Sequence, residues 1–226
     1  MRNVCGIWTR EDHALEIEIK GLRNGIAHIL RGEYFASLKV GLKYVRDYRI
    51  AVDAGGHIGL WAIEMAKHFD RVLSFEPLEK NVVCHHMNTE DYTNIELHDY
   101  ALGAKAGRTG YTEGHNTGSG FTFGNDGTIE VVTIDSYNLP SCGLIKADVE
   151  GHEYNVLMGA RDTLQRCHPV VIIEDKGLEK KNLGQPLGCA GRLLESYGYK
   201  KQAYIRKDSI YVYQGSDGAL DEDVKR

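Results

Sequence analysis

Apolar and polar positions in the middle of the chain alternate between the period of a strand and the period of a helix. A short apolar run at 50–52 ends at Asp53, and apolar side chains then recur at spacings of three and four over 58–69. A second predicted strand at 71–75 ends at Glu76. This order predicts a strand, a helix and a strand, which is how a parallel sheet covered by helices begins.

The alternation continues toward the end of the chain and is interrupted once. The further predicted elements are a helix at 78–91, strands at 95–97, 144–147 and 169–173, helices at 150–164 and 187–197, and an antiparallel hairpin of 200–205 with 209–213. The interruption at 103–127 contains eight glycines and is long for a loop without structure of its own. We therefore expect it to be functional, with room for short strands.

The first 48 residues follow a less regular pattern. Residues 15–19 alternate as a strand does, Asn24-Gly25 is a hairpin-turn signal, and apolar residues over 35–45 suggest a helix that feeds the first core strand. We expect three parts: an N-terminal extension over 1–48 packed on the core, one domain over 49–215, and a flexible charged tail over 216–226.

Composition and charge exclude several classes of protein. Of 226 residues, 42% are hydrophobic and only 4 are proline beside 26 glycines, so neither a disordered nor a fibrous chain fits. The net charge of −5 argues against sequence-independent nucleic-acid binding, and no apolar stretch approaches the ~18 residues of a membrane helix. We expect no nucleic-acid or membrane partner, and the oligomeric state stays open.

The five cysteines are scattered and form no Cys-x-x-Cys pair. This usage is typical of reduced thiols and makes a structural zinc site improbable. Residues 1–5 lack the apolar region of a signal peptide, so we expect a cytoplasmic protein.

A glycine-rich turn stands between the first core strand and its helix. Gly55, Gly56 and Gly59 would let a ligand approach the backbone and the helix N-terminus. Glu76, at the end of the next strand, is placed to accept hydrogen bonds from both ribose hydroxyls. Together these residues predict an adenosine-containing ligand; the alternative is a turn that serves only strand–helix packing.

The residues of the turn bear on which ligand it holds. The register Ala54-x-Gly56-x-x-Gly59 lacks the first glycine of the dinucleotide fingerprint, and Asp53 would meet a pyrophosphate as a second anion. A cationic ligand such as S-adenosylmethionine suits Asp53 better. An NAD-dependent oxidoreductase with a Rossmann-like fold remains the alternative, as does a cofactor-binding homologue without turnover.

Beyond the turn, the sequence resembles the FkbM family of S-adenosylmethionine-dependent methyltransferases. The resemblance covers roughly residues 50–175, and its most specific string is Lys146-x-Asp148-x-Glu150-Gly151-x-Glu153. The segments that carry it are 52–59, 75–77, 101–103, 132–135, 145–153, 157–160 and 169–174.

The resemblance implies a class I methyltransferase fold: a seven-stranded, mostly parallel sheet with an antiparallel last strand and helices on both faces. It also implies methylation of a hydroxyl oxygen on a sugar, a glycan or a secondary metabolite. Gly56, His57 and His152 depart from the residues commonly found in the family. The first two would alter the shape of the cofactor pocket, and His152 would put a titratable ring near the reaction centre.

Carried over position by position, the resemblance assigns three parts of the cofactor site. The methionine portion falls to Asp53, Gly55 and Gly59, the ribose to Glu76, and the adenine to Asp99, Tyr100 and Ala101. Gly56 and Pro77 are also expected to bind the cofactor.

The candidate catalytic residues lie in the specific string. Lys146 and Asp148 are two apart on a strand and share a face, and Glu150 follows at the start of the predicted helix. We expect Asp148 and Glu150 to orient the sulfonium end of the cofactor and the acceptor hydroxyl. His152, whose ordinary pKa suits proton transfer, or one of the carboxylates would take the hydroxyl proton.

Our interpretation assigns S-adenosylmethionine as the cofactor and no metal. The alternative is a Mg²⁺ ion held by Asp148 together with Glu174 and Asp175 at the next strand end, because carboxylate oxygens suit that ion.

Overall fold

A computed structural model of the chain describes residues 1–4, 6–10, 34–111, 121–122 and 127–215. The strands are β1 (Arg2–Val4), β2 (Ile7–Thr9), β3 (Ile50–Ala54), β4 (Arg71–Phe75), β5 (Ile95–His98), β6 (Ala101–Leu102), β7 (Gly107–Tyr111), β8 (Phe121–Thr122), β9 (Ile129–Val132), β10 (Leu144–Ala147), β11 (Val170–Glu174), β12 (Tyr199–Ile205) and β13 (Asp208–Tyr213). The helices are α1 (Ala36–Gly41), α2 (Leu60–Ala66), α3 (Glu79–Thr89), α4 (Glu153–Met158), α5 (Arg161–Cys167), α6 (Leu178–Leu183) and α7 (Cys189–Ser196), with a 3₁₀ turn at Ile134–Tyr137.

Seven strands form the main sheet in the order β12-β13-β11-β10-β3-β4-β5. The neighbours from β11 to β5 are parallel, whereas β13, the last strand of the chain, runs antiparallel to both β11 and β12. The predicted fold class is confirmed. Because the strands from β11 to β5 run the same way, their carboxyl ends meet at one edge of the sheet.

Helices cover both faces of this sheet because its central strands are apolar on both sides. One core packs α4, α5 and α7 against one face through residues such as Val156, Leu164 and Leu194. The other core packs α1 and α2 against the opposite face through Leu38 and Met65. All five residues are fully buried, so helices cover both faces of the central strands.

The glycine-rich interruption contains short strands. β6, β9, β7 and β8 form a second, four-stranded sheet in that order. Residues 112–120 and 123–126 of the interruption lie outside the described residues, as do the predicted strand at 15–19, the turn at Asn24-Gly25 and the tail over 216–226. The domain boundaries stay predictions.

One predicted helix is wrong in its extent. Instead of a single helix over 150–164, the chain forms α4 and α5 with a break at Gly159. A Cβ at Gly159 would lie 2.0 Å from the Gly103 carbonyl oxygen, so this turn packs against the second sheet at a distance that only glycine permits. Helix α6 and the β1–β2 hairpin were not predicted. No helix among the described ranges has the length and apolar character needed to cross a membrane.

Candidate cofactor and acceptor site

The glycine turn leaves β3 at the carboxyl edge of the sheet. The amides of Gly55 and Gly56 both donate to the Phe75 carbonyl, at 3.0 and 2.9 Å, which ties the turn to β4. Gly55 has a φ of +82°, and a Cβ there would lie 2.0 Å from the Asp148 carbonyl oxygen. The turn therefore needs glycine at 55 for its conformation and for its contact with the end of β10.

A buried polar network lies beneath the turn. Asp53, Ser74 and His85 are all 0% exposed. The Ser74 hydroxyl donates to Asp53 Oδ2 at 3.1 Å and lies 2.9 Å from Nε2 of His85. Since Ser74 has one hydrogen and gives it to Asp53, Nε2 of His85 must be the donor to Ser74. Burial lowers the pKa of His85, which agrees with a neutral ring.

This network changes the expected role of Asp53. Its carboxylate faces the interior, where Lys146 Nζ lies 3.3 Å from Oδ1. The assignment of Asp53 to the methionine portion of a cofactor stays a prediction. The geometry shows Asp53 as an internal support of the turn, and neither Ser74 nor His85 was predicted.

Lys146 is the second support of the turn. Its ammonium donates to the Gly55 carbonyl at 3.0 Å and lies 5.4 Å from the ring centre of Trp61. Burial opposes its charge, but Asp53 and Asp148 together raise the pKa of Lys146 above its ordinary value. Its side chain is only 5% exposed, so Lys146 holds the turn from below, and its catalytic assignment stays a prediction.

Glu76 lies at the end of β4, beside the turn, as expected from its position after the second strand. Oε2 accepts from the His57 amide at 2.9 Å, and Oε1 accepts from the Leu78 amide at 3.0 Å and from Asn81 Nδ2 at 3.1 Å. Burial raises the pKa of Glu76. Pro77 follows, half-buried, before α3. Glu76 thus links the glycine turn to the start of α3.

The predicted adenine residues follow β5. Asp99 is exposed, Tyr100 is half-buried and Ala101 is buried in β6. Beside them, the His98 ring stacks on Phe75 with 4.8 Å between ring centres. The adenine assignment of these residues stays a prediction, and the aromatic stack next to them was not predicted.

Three carboxylates gather where β10 and β11 end, and we call them the acid cluster. Single oxygens of Asp148, Glu150 and Glu174 all lie within 4.8 Å of one another. Burial and the neighbouring Asp148 raise the pKa of Glu174 to about 8. Burial also acts to raise the pKa of Asp148, but Lys146 and a hydrogen bond with Glu174 hold it below its ordinary value. Asp148 therefore holds its negative charge more readily than Glu174 does.

The geometry of the acid cluster differs from the predicted Mg²⁺ set. Asp175 lies outside it, because neighbouring residues of a strand end point to opposite faces, and its Oδ2 accepts from the Ser209 hydroxyl at 3.2 Å. Lys176 adds a cation of its own, with Nζ 2.5 Å from Glu174 Oε1 and 3.4 Å from Glu150 Oε1. A divalent ion here would meet this ammonium, so the residues do not fit Mg²⁺ while Lys176 holds its position.

His152 and Glu153 begin α4 behind the acid cluster. His152 is 3% exposed, which rules out an exposed helix position, and its role as proton acceptor stays a prediction. Oε1 of Glu153 accepts from the amides of Val149 and Gly151 at 3.1 and 3.2 Å. Burial raises the pKa of Glu153 to about 7. Glu153 thus fixes the turn that presents Glu150.

Comparison with known proteins identifies this arrangement. The Methyltransferase FkbM domain family matches residues 42–201, well over half of the 226 residues. The chain belongs to the FkbM methyltransferase family. The predicted resemblance is confirmed over a longer stretch than the motifs alone covered. A search of curated proteins found no match.

Solved structures share the fold of this FkbM domain. An FkbM methyltransferase from Methylobacillus flagellatus matches with a TM-score of 0.50 and 21% identity over 74% of this chain. The chain spans less than half, 44%, of that protein's length. The Streptococcus mutans protein SMU.1697c, solved in complex with SAH, matches with a TM-score of 0.50 and 13% identity over 77% of this chain and 93% of its own. At these identities the likeness shows a class I methyltransferase fold.

Helix α1, which precedes the residues matched by the FkbM family, also reaches the site. The Ser37 hydroxyl of α1 hydrogen-bonds to Asp208, which is paired with Glu174 across β13 and β11. Although 41% of Tyr34 is exposed, burial of its hydroxyl raises its pKa, and Lys146 and Asp148 are among the charges that act on it. Residues before β3 therefore border the acid cluster, which no sequence pattern indicated.

Proposed function

We propose that this protein transfers a methyl group from S-adenosylmethionine to a hydroxyl oxygen of a sugar, a glycan or a secondary metabolite. The observation that carries the proposal is the direct contact between Gly55 of the turn and the backbone of Asp148. This contact brings a turn suited to a cofactor and a cluster suited to an acceptor to the same edge of the sheet. Such an edge is where open α/β sheets bind their ligands.

The cofactor side supplies binding and orientation. The exposed face of the glycine turn would receive the methionine portion, and Glu76 would exchange some of its present amide donors for the ribose hydroxyls. The sulfonium charge suits an edge that carries Asp148 and Glu150. SAH in the S. mutans protein of the same fold supports this choice of ligand.

The acceptor side supplies a place for the proton. In the reaction the acceptor oxygen forms a bond to the methyl carbon, the sulfur–methyl bond breaks, and its electron pair stays on sulfur to give S-adenosylhomocysteine. The hydroxyl proton passes to the carboxylate of Asp148, which is ionised beside Lys146. Much of the acceleration would come from holding oxygen, carbon and sulfur in line.

A cavity next to the acid cluster supports a small polar acceptor. It measures about 190 Å³ and shares Glu174 with the acid cluster. Tyr154, Asp175, Arg192, Lys201 and Tyr211 are among its other lining residues, whereas Asp148 and Glu150 do not line it. Aromatic faces beside charged groups suit a sugar-like ring with several hydroxyls. We keep the cytoplasm as the proposed compartment, and a small molecule or glycan, rather than a nucleic acid or a membrane, as the proposed partner.

Calorimetry with three ligands tests the class of the enzyme. We expect one site for S-adenosylmethionine and for S-adenosylhomocysteine, and no heat with NAD. Binding of NAD without either methionine cofactor would overturn the proposal in favour of an oxidoreductase.

A screen of acceptors with a labelled methyl donor tests the reaction itself. The wild type should label a hydroxyl compound, and Asp148→Asn should retain cofactor binding and lose at least ~99% of the turnover, because it removes the proton acceptor. Cofactor binding without labelling of any sugar, glycan or metabolite class would favour the catalytically silent homologue.

A further inference from the structure

Lys176 lies two residues beyond the end of β11, where its side chain reaches back over the acid cluster. Its Nζ lies 2.5 Å from Glu174 Oε1 and 3.4 Å from Glu150 Oε1, and its side chain is 26% exposed. Asp148 contributes to the same electrostatic environment. The ammonium is therefore bound to the cluster and still open to the crevice.

The position of this ammonium is the one that a metal ion would take. Three carboxylate oxygens within 4.8 Å of one another form a donor set of the kind that binds a hard divalent cation. With Lys176 present, part of their charge is already neutralised by a covalently attached cation. The ammonium of Lys176 thus supplies, next to these carboxylates, the positive charge that a metal ion would otherwise supply.

Two nearby lysines have their closest contacts outside the acid cluster, although the charges of Lys146 and Lys207 act on it from a greater distance. Lys146 lies below the glycine turn, on Asp53 and the Gly55 carbonyl. Lys201 lies 3.7 Å from Asp175 Oδ2, outside the cluster, with its ammonium over the Tyr211 ring. Lys176, by contrast, has its ammonium in direct contact with Glu150 and Glu174 of the acid cluster.

We propose that Lys176 is the built-in cation of the acceptor site. It keeps the cluster free of divalent metal and donates a hydrogen bond to the acceptor oxygen. This inference rests on the proposed function for its catalytic half: as the oxygen gives its proton to Asp148 and attacks the methyl carbon, the ammonium stabilises the negative charge that develops on oxygen. Lys176 gives up no proton in the step.

Titration of the protein with MnCl2 and MgCl2 alone, followed by calorimetry, tests the structural half without an acceptor. The wild type should show no binding up to about 1 mM, the weak end of the range for protein divalent-cation sites. Lys176→Met removes the ammonium and keeps the chain length, and it should bind Mn²⁺ at least tenfold more tightly than the wild type. Lys201→Met is the matched control, with the same loss of charge outside the cluster, and should behave as the wild type.

Two further variants make the result decisive. Lys176→Arg keeps the positive charge and should exclude Mn²⁺, and the double variant Lys176→Met with Glu174→Gln should lose the gained binding. Wild-type binding as tight as that of Lys176→Met would overturn the proposal, and so would a folded Lys176→Met that binds no Mn²⁺. Thermal melts identify a variant that fails to fold, in which case Lys176→Gln replaces Lys176→Met.

Titration of the same proteins with S-adenosylmethionine distinguishes a failure of the proposed function from a failure of the role proposed for Lys176. Affinity for the cofactor should stay within about threefold in Lys176→Met, because Lys176 lies on the acceptor side. If no variant and no wild type binds the cofactor, the proposed function fails, while the Mn²⁺ result still decides the role of Lys176.

Discussion

The glycine turn and the acid cluster touch at Gly55 and Asp148, yet they are built in opposite ways. Under the turn, Asp53, Ser74 and His85 are sealed from solvent and partnered within the chain. At the acid cluster, Glu150 and the neighbouring Lys176 keep about a quarter of their side-chain surface open and carry opposite charges. A rigid, buried network suits the binding of a cofactor, which has the same structure in every catalytic cycle. Partly exposed charged groups suit the binding of an acceptor, because they can form new hydrogen bonds when it arrives.

Gly55→Ala disrupts the contact between the glycine turn and Asp148. We expect it to have the largest effect on stability and on cofactor binding. A Cβ would lie 2.0 Å from the Asp148 carbonyl at a φ of +82°, so the turn has to move away from β10. We expect about 3 kcal/mol or more of lost stability in urea unfolding, in line with strain at a special backbone position. Cofactor affinity should fall at least ~100-fold, which calorimetry measures.

Gly107→Ala is the control for this substitution. A Cβ at Gly107 meets nothing within 4 Å, and its backbone is not left-handed. Its stability should stay within about 0.5 kcal/mol of the wild type. Equal losses in the two variants would contradict the role given to the contact between Gly55 and Asp148.

Ser74→Ala tests whether the buried network beneath the glycine turn supports the cofactor side of the site. It removes the donor to Asp53 and the partner of His85, and buried polar groups left without a hydrogen bond cost about 1–3 kcal/mol. We expect a loss of ~2 kcal/mol in urea unfolding and weaker cofactor binding, because Gly56 packs directly on Ser74 and His85. Ser196→Ala, which removes an exposed hydroxyl from α7, should cost much less. A Ser74→Ala protein as stable as Ser196→Ala would show that the network is not a support.

Glu153→Gln tests the acceptor side through the pH dependence of stability. Burial raises the pKa of Glu153 from 4.5 to about 7, so the folded protein holds a proton that the unfolded chain releases between these values. The unfolding free energy should therefore fall as pH rises through this window, by at most ~1.4 kcal/mol per pH unit from this group.

Glutamine cannot titrate but still accepts from the Val149 and Gly151 amides. Urea unfolding at several values between pH 5 and pH 8 should therefore show the wild type losing stability relative to Glu153→Gln as pH rises. Glu79→Gln, on the exposed start of α3, is the control and should follow the wild type. A constant difference across the range would contradict the role of burial.

Most of the sheet was predictable because its signal is local. The runs at 71–75 and 144–147 are short, mostly apolar segments, and the structure places β4 and β10 at these bounds. Glu76 was predictable for the same reason, since parallel strands end at a common edge. The break at Gly159 was not, because it depends on a contact with Gly103 across the molecule.

The site was predictable only where its residues end strands. His85 reaches Ser74 because α3 packs over the glycine turn, and helical spacing in a single chain does not state which neighbour a helix faces. Lys176 carried no such signal, because it lies two residues beyond the end of β11 and strand spacing does not place its side chain.

The most direct test compares S-adenosylmethionine binding by Glu76→Ala and Glu174→Ala, two matched truncations in the two regions. Glu76→Ala should weaken the dissociation constant at least tenfold, about 1.4 kcal/mol, because the ribose hydroxyls and the turn amides lose their acceptor. Glu174→Ala should change it by no more than about threefold, because the proposed function assigns Glu174 to the acceptor side. An unchanged constant in Glu76→Ala, or an equal loss in Glu174→Ala, would contradict the division of the site into a cofactor side and an acceptor side.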